Sequence, residues 1–190
     1  MHDLKELVAR VEEQERTIRT LADRQAILDC SLRFCRGINR LDRALLRSAF
    51  HEDAIDDHGF FLGGVEEFLA WIESLYAKLR VTQHFVTNQT VELDGDVAHA
   101  EQYWFVANVP GDGNQTILRG GRYVDRYERR GEKWALAERA CLIEWNMANE
   151  TLAFDEASAA QLAEVGTIAR DRSDLSYQRP LRVRRPGPAA

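Results

Sequence analysis

Leu4, Leu7, Val11, Ile18 and Leu21 recur at three- and four-residue intervals, with Gln14 filling the slot between Val11 and Ile18. That spacing predicts a short amphipathic helix with one polar interruption. It holds too few repeats to specify a coiled coil, so its stripe is expected to pack on a neighbouring subunit or on the body of the domain. Asp23 has the chemistry of an N-cap and predicts the start of a second helix, with Ile27, Cys30, Ser31, Phe34 and Ile38 on one face. Gly37 weakens that helix near its end. Asp42 caps another short helix through Leu45, Leu46, Ala49 and Phe50. Residues 54–61 read as a strand. Gly63-Gly64 then interrupts the chain before a helix carrying Val65, Phe68, Leu69, Ile72, Leu75 and Tyr76.

From His84 the apolar period shortens to two, the signature of strands. Asp94-Gly95-Asp96 is a hairpin signal, and residues 97–109 form a long strand beyond it. Further turns follow at Pro110-Gly111-Asp112-Gly113-Asn114 and Arg130-Gly131-Glu132-Lys133. Gly120-Gly121, inside a strand, marks a bulge that curls the sheet. Helices followed by long curled strands predict an α+β fold, a cone-shaped half-barrel of mixed, mainly antiparallel sheet wrapped around the N-terminal helices. Such a cone encloses a hollow of small-molecule size. After Asn146 the pattern decays into a short helix near residues 158–165 and an irregular tail. The expected divisions are an amphipathic helix over 1–20, the main domain over 21–146 and a C-terminal extension over 147–190.

Composition narrows the function. With 190 residues, 45% hydrophobic and 29% charged, the chain suits one ordinary globular domain. A net charge of -6 argues against nucleic acid as a partner, since such binding needs basic surface. Arg179, Arg182, Arg184 and Arg185, interleaved with Pro180, Pro186 and Pro188, read as a solvated basic tail. No apolar run approaches the roughly 20 residues of a membrane span, so no membrane contact is expected. Met1-His2-Asp3-Leu4-Lys5-Glu6 lacks the layout of a secretory signal, which makes a cytoplasmic location the expectation. Cys30, Cys35 and Cys141 have neither metal nor redox spacing and read as small buried hydrophobes.

Strand alternation sorts the chemical candidates without saying which face turns inward. His84, Val86 and Asn88 share a face, as do Arg139, Cys141, Ile143 and Trp145, and as do Asp56, His58 and Phe60. His84 is the expected general acid or base, because imidazole titrates near neutrality, although a core histidine satisfied by one backbone partner fits the same pattern. Arg139 in an apolar run needs an anionic ligand or a structural partner, for which Glu101 and Asp125 are available. Tyr103 and Tyr123 can donate to a developing oxyanion. In Asp56-Asp57-His58 only Asp56 and His58 share a face, and a third ligand is missing, so no metal is expected. No phosphate loop, dinucleotide fingerprint or nucleophile elbow is present, so no cofactor is expected.

Several segments together resemble the SnoaL-like branch of the nuclear transport factor 2 superfamily. They are Asp23-Arg24-Gln25-Ala26-Ile27, Phe34-Cys35-Arg36-Gly37-Ile38-Asn39-Arg40-Leu41-Asp42, His51-Glu52-Asp53-Ala54 and Gln83-His84-Phe85-Val86-Thr87-Asn88. Gly121-Arg122-Tyr123-Val124-Asp125-Arg126-Tyr127-Glu128-Arg129-Arg130 and the stretch Trp134 to Arg139 continue the likeness. The resemblance implies a cofactor-free lyase of the kind seen in scytalone dehydratase, hexachlorocyclohexane dehydrochlorinase and bile-acid 7α-dehydratase. It also implies a homo-oligomer, trimer or dimer. The family histidine falls on His84 and the family arginine on Arg139. The family aspartate falls on Asn39, which can hold an imidazole but cannot offset its charge; either another acid, with Asp56 the obvious one, partners His84, or the reaction needs no strong base.

The resulting expectation is dehydration, or dehydration-coupled C–C cleavage releasing formaldehyde as in the family's diarylpropane lyases. The substrate is a small hydrophobic, hydroxylated aromatic or polycyclic compound. His84 is the acid/base, positioned by Asn39 or Asp56, while Arg139 and Tyr123 steady charge on oxygen. Tyr103, His58, Asn88, Phe34 and Trp145 complete the expected pocket. The alternative is a non-catalytic small-molecule-binding module of the same fold.

Overall fold

The computed structural model describes residues 4–184, so Met1 to Asp3 and, in the basic tail, Arg185, Pro186 and Pro188 lie outside the described residues. The chain opens with one long helix, α1 (Leu4–Arg40). No glycine or proline interrupts it before Gly37, so nothing in the backbone enforces a break at Asp23. Asp23 is therefore not an N-cap. It sits within the helix, and its carboxylate accepts from Trp134 Nε1 at 2.7 Å and pairs with Arg129. The first half of α1 is exposed from Leu4 to Ala22, whereas the second half buries Ile27, Cys30, Phe34 and Ile38.

The end of α1 is set by the backbone. Leu41 adopts φ 48°, and Leu41 N–H and Asp42 N–H return to the carbonyls of Ile38 and Gly37. This double closure satisfies the last turn and leaves Asn39 near the helix C-terminus. Asp42 then caps α2 (Arg43–Arg47), as its side chain predicts. Gly37 serves close packing: a Cβ there would lie 2.6 Å from the Leu46 backbone nitrogen.

The remaining elements are β1 (Phe50–Asp57), β2 (Leu62–Gly64), α3 (Val65–Tyr76), β3 (Leu79–Asp94), β4 (Val97–Pro110), β5 (Gln115–Arg130), β6 (Lys133–Glu150) and α4 (Glu156–Ala163). The first strand stops at Asp57 rather than continuing to Phe61, because His58 N–H bonds the Phe61 carbonyl and turns the chain. Six strands form one sheet in the order β2-β1-β6-β5-β4-β3. Among the described residues only the β1–β6 pair is parallel, so the sheet is mixed and mainly antiparallel, as the sequence pattern predicts. Its concave face packs on α1 and α3 through Phe34, Phe50, Phe68, Tyr123, Tyr127 and Leu136. All three cysteines are buried and unpaired.

Of the register shifts along the sheet, two decide where the expected residues Asn88 and Trp145 turn. One lies between Thr87 and Thr90, where Asn88 takes φ 49°. The other lies opposite Gly120-Gly121, where Ile143 and Trp145 face consecutive residues of β5 and Glu144 is extra. Each bulge shifts the alternation by one residue beyond it. No described helix is long and apolar enough to cross a membrane.

Candidate active site

Between the concave sheet face, α3 and the β1–β2 turn lies a cavity of about 250 Å³. Trp71, Leu75 and Tyr76 come from α3, and Trp104, Val106, Tyr123, Cys141 and Ile143 from the sheet. His58, Phe60, His84 and Arg119 complete the lining. The wall is largely apolar with a few convergent polar groups, the usual composition of a small-molecule site.

His84, on β3, stands over the end of α1. Asn39 Oδ1 accepts two hydrogen bonds from it, from the backbone N–H at 3.0 Å and from ring Nδ1 at 2.8 Å. The backbone group can only donate, so it fixes the amide oxygen of Asn39 toward His84, and Nδ1 must then carry a proton. In the neutral ring Nε2 is left with a lone pair, 3.4 Å from the Tyr76 hydroxyl. Burial drives the His84 pKa down to about 3, helped by the charges of His58, Arg170 and Arg139. An asparagine, unlike an aspartate, offers no charge to oppose that shift.

His58 is its electrostatic opposite. Its Nδ1 lies 2.8 Å from Oδ1 of Asp56, whose side chain is almost wholly buried. Burial alone would lower its pKa, but the charge and hydrogen bond of Asp56, with Cys141 alongside, raise it to about 9. The expectation that Asp56 partners His84 is thus corrected: Asp56 is bound to His58, two residues along on the same face of the chain. One cavity therefore holds an imidazolium on a carboxylate and a neutral imidazole on an amide.

These shifts set a pH dependence of stability. His58, raised above its ordinary 6.5, contributes stability that is full below 6.5 and lost as pH rises through about 9. His84, depressed below 6.5, contributes stability that is present above 6.5 and lost as pH falls toward about 3. Ring nitrogen NMR is expected to find His58 charged at pH 8 and His84 neutral at pH 5. A His84 ring that protonates near 6.5 would contradict the assignment.

The other predicted residues divide cleanly. Tyr123 lines the cavity, stacked on Trp104, and burial raises its pKa well above the usual phenol value. Phe34 lies beneath Tyr123, edge to face at 5.8 Å, in the core rather than in the wall. Arg139 is also a buttress, not a wall residue. Both side chains of the Arg139–Asp125 pair are fully buried, joined by two hydrogen bonds of 2.7 Å, and the guanidinium lies against the rings of Tyr123 and Phe34. Of its two candidate partners, Asp125 is the one chosen.

Three expectations fail on geometry. Asn88 is exposed on its bulge, outside the cavity, while Gln89 turns in toward Ser31 and Gln102. Tyr103 points to the convex face, because its neighbours Gln102 and Trp104 take the inner positions. Trp145 is displaced by the Glu144 bulge and lies on the convex face over Gly120, where any side chain would overlap its ring.

Sequence reasoning missed Arg119, Trp71, Tyr76 and Trp104 as wall residues. Arg119 shares the parity of Tyr123 along β5, a signal that was available. The α3 residues read only as an apolar helix face. Trp104 also keeps its Nε1 buried with no hydrogen-bond partner. Among the described residues, no three His, Cys, Asp or Glu side chains converge as a metal site.

Comparison with known proteins agrees with this architecture. Hexachlorocyclohexane dehydrochlorinase (LinA) type 2 superposes with a TM-score of 0.67 at 24% identity, over 73% of this chain and 96% of that one. LinA-type3 from Novosphingobium barchaimii LL02 gives 0.66 at 22%, over 73% and 97%. A putative scytalone dehydratase from Novosphingobium aromaticivorans gives 0.64 at 16%, over 73% and 93%. At these identities the likeness establishes the nuclear transport factor 2-like fold. The search of curated proteins gave no match. The SnoaL-like domain matches residues 19–140, most of the chain, and the protein belongs to that family.

Proposed function

We propose that the protein is a cofactor-independent lyase that removes water from a small hydroxylated aromatic or polycyclic compound. The observation that carries this reading is the pairing of two unlike imidazoles in one apolar cavity, His58 on Asp56 and His84 on Asn39. His84 Nε2 takes a proton from the substrate, and the released electron pair forms the new double bond. The C–O bond breaks, and His58 Nε2–H delivers its proton to the departing hydroxyl, which leaves as water. Transfer of a proton from His84 back to His58 through solvent resets the site. Tyr123 adds a donor for charge developing on oxygen, and Arg139 holds Tyr123 in place from behind. A weakly basic His84 suits substrates whose electrons flow into a phenol or carbonyl, including those that go on to lose formaldehyde.

Incubation with a panel of hydroxylated aromatic compounds, followed by mass spectrometry, tests the proposal: a product 18 mass units lighter is expected. Tight binding across the panel without chemical change would favour the binding module, a reading that Asn39 supports by leaving a protonated His84 without a counter-charge.

We also propose that a second copy of this chain covers the exposed half of α1. Leu4, Leu7, Val11, Ile18 and Leu21 fall on the a and d positions of a heptad, with Gln14 on the remaining d, and all are exposed. A two-in-seven stripe is the narrow seam that fits another helix better than a sheet. In a parallel pair, Arg10 at g meets Glu15 at e of the partner helix. Ile18→Glu is expected to lower the sedimenting mass at a concentration where the parent chain associates. An unchanged mass would exclude the seam.

A further inference from the structure

Arg119 is the cavity residue that the scheme above leaves without work. It projects from β5 between Val106 of β4 and Asn146 of β6, on the Tyr123 side of the strand. It is half-buried, and no ion pair or side-chain hydrogen bond engages it among the described residues. Its situation contrasts with the other arginines of this strand. Arg122 holds Glu101 and Glu144, Arg126 holds Glu128 and Glu138, Arg129 holds Asp96, and Arg130 holds Asp53.

A guanidinium in a mostly apolar wall is costly unless an anion meets it. No carboxylate lines the cavity among the described residues, since Asp56 lies behind His58 and Asp125 is taken by Arg139. The second cation of the wall, His58, already has its carboxylate; Arg119 has none. Trp104 Nε1–H, in the same wall, is also a donor without an acceptor. Arg119 and Trp104 Nε1–H are both donors, so the partner they lack is an acceptor, and for Arg119 an anion.

We infer that the substrate carries a carboxylate, which Arg119 receives while the ring lies among Trp71, Tyr76 and Trp104 and the hydroxyl reaches the two histidines. The planar fork of arginine takes a carboxylate with two parallel hydrogen bonds, which fixes orientation as well as affinity. The reacting compound is then a hydroxylated aromatic acid, and dehydration conserves its charge, so substrate and product alike are held by Arg119. This inference rests on the proposed aromatic cavity.

The test uses two probes of the same shape, 2-naphthoate and 2-naphthylmethanol, titrated into the full chain at pH 7.5 by calorimetry or by fluorescence of the wall tryptophans. The acid is expected to bind at least about tenfold tighter than the alcohol, the scale of a charge-assisted hydrogen bond. Arg119→Gln is expected to abolish the preference and Arg119→Lys to keep part of it, with circular dichroism unchanged in both. Equal affinities in the parent chain would overturn the anion assignment and leave the aromatic cavity standing. A preference that survives Arg119→Gln would remove Arg119 from the role. Binding of neither probe would overturn the aromatic cavity and this inference with it.

Discussion

Substituting alanine for His84 is expected to lower turnover at least about a hundredfold on any compound that the screen identifies, the lower bound for a positioned acid or base. The ring is the group that the proposed scheme uses as base, and it lines the cavity. Asn39 is held by a hydrogen bond from the His84 backbone as well as from the ring, so the end of α1 keeps a tie to β3 in the variant. His58→Gln tests the other half of the pair. It is expected to cost a similar factor, and a fall of the parent chain's rate on that compound above about pH 9, where His58 loses its proton, should vanish. Undiminished turnover in the His84 variant would remove the central assignment, whatever its stability.

The largest expected effect on stability belongs to Asp125. Replacing it with alanine leaves the fully buried Arg139 charge without its carboxylate, and such losses typically cost about 3–5 kcal/mol. Arg139 Nη1 already lacks a partner, and Tyr127 and Gln102 also donate to Asp125, so no nearby group is free to compensate. Urea unfolding followed by circular dichroism should place the variant's midpoint well below that of the parent. A double replacement, Asp125→Leu with Arg139→Met, removes both charges and is expected to be more stable than Asp125→Ala alone. If the two behave alike, charge burial is not what holds this part of the core.

The sheet, its turns and the cone were legible because alternation, Asp94-Gly95-Asp96 and the paired glycines each carry one dominant physical cause. Side-chain direction was misread at the Asn88 and Glu144 bulges. His84 lies before the Asn88 irregularity and Cys141 before the Glu144 one, and both turn inward. Asn88 sits on the first, and Trp145 lies just beyond the second. An extra residue is invisible to a period-two count, because it depends on pairing with a distant strand. Asp23 failed differently. Its capping chemistry is genuine, but Trp134 and Arg129 supply partners inside the helix, and those are more than 100 residues away. The Asn39–His84 contact could be anticipated from the family likeness; the Asp56–His58 pairing needed the turn that ends β1.

Arg170 carries a last consequence. From beyond the matched family segment, its guanidinium donates to the carbonyls of Ile38 and Asn39 on α1, of Tyr76 at the end of α3 and of Leu79 at the start of β3. Among the described residues Asn39 and Tyr76 are the hydrogen-bond partners of the His84 ring, and the charge of Arg170 also helps to keep that ring neutral. The proton affinity of His84 is thus set partly from a segment outside the cavity, and exchanging that segment offers a way to retune the imidazole without touching the cavity wall.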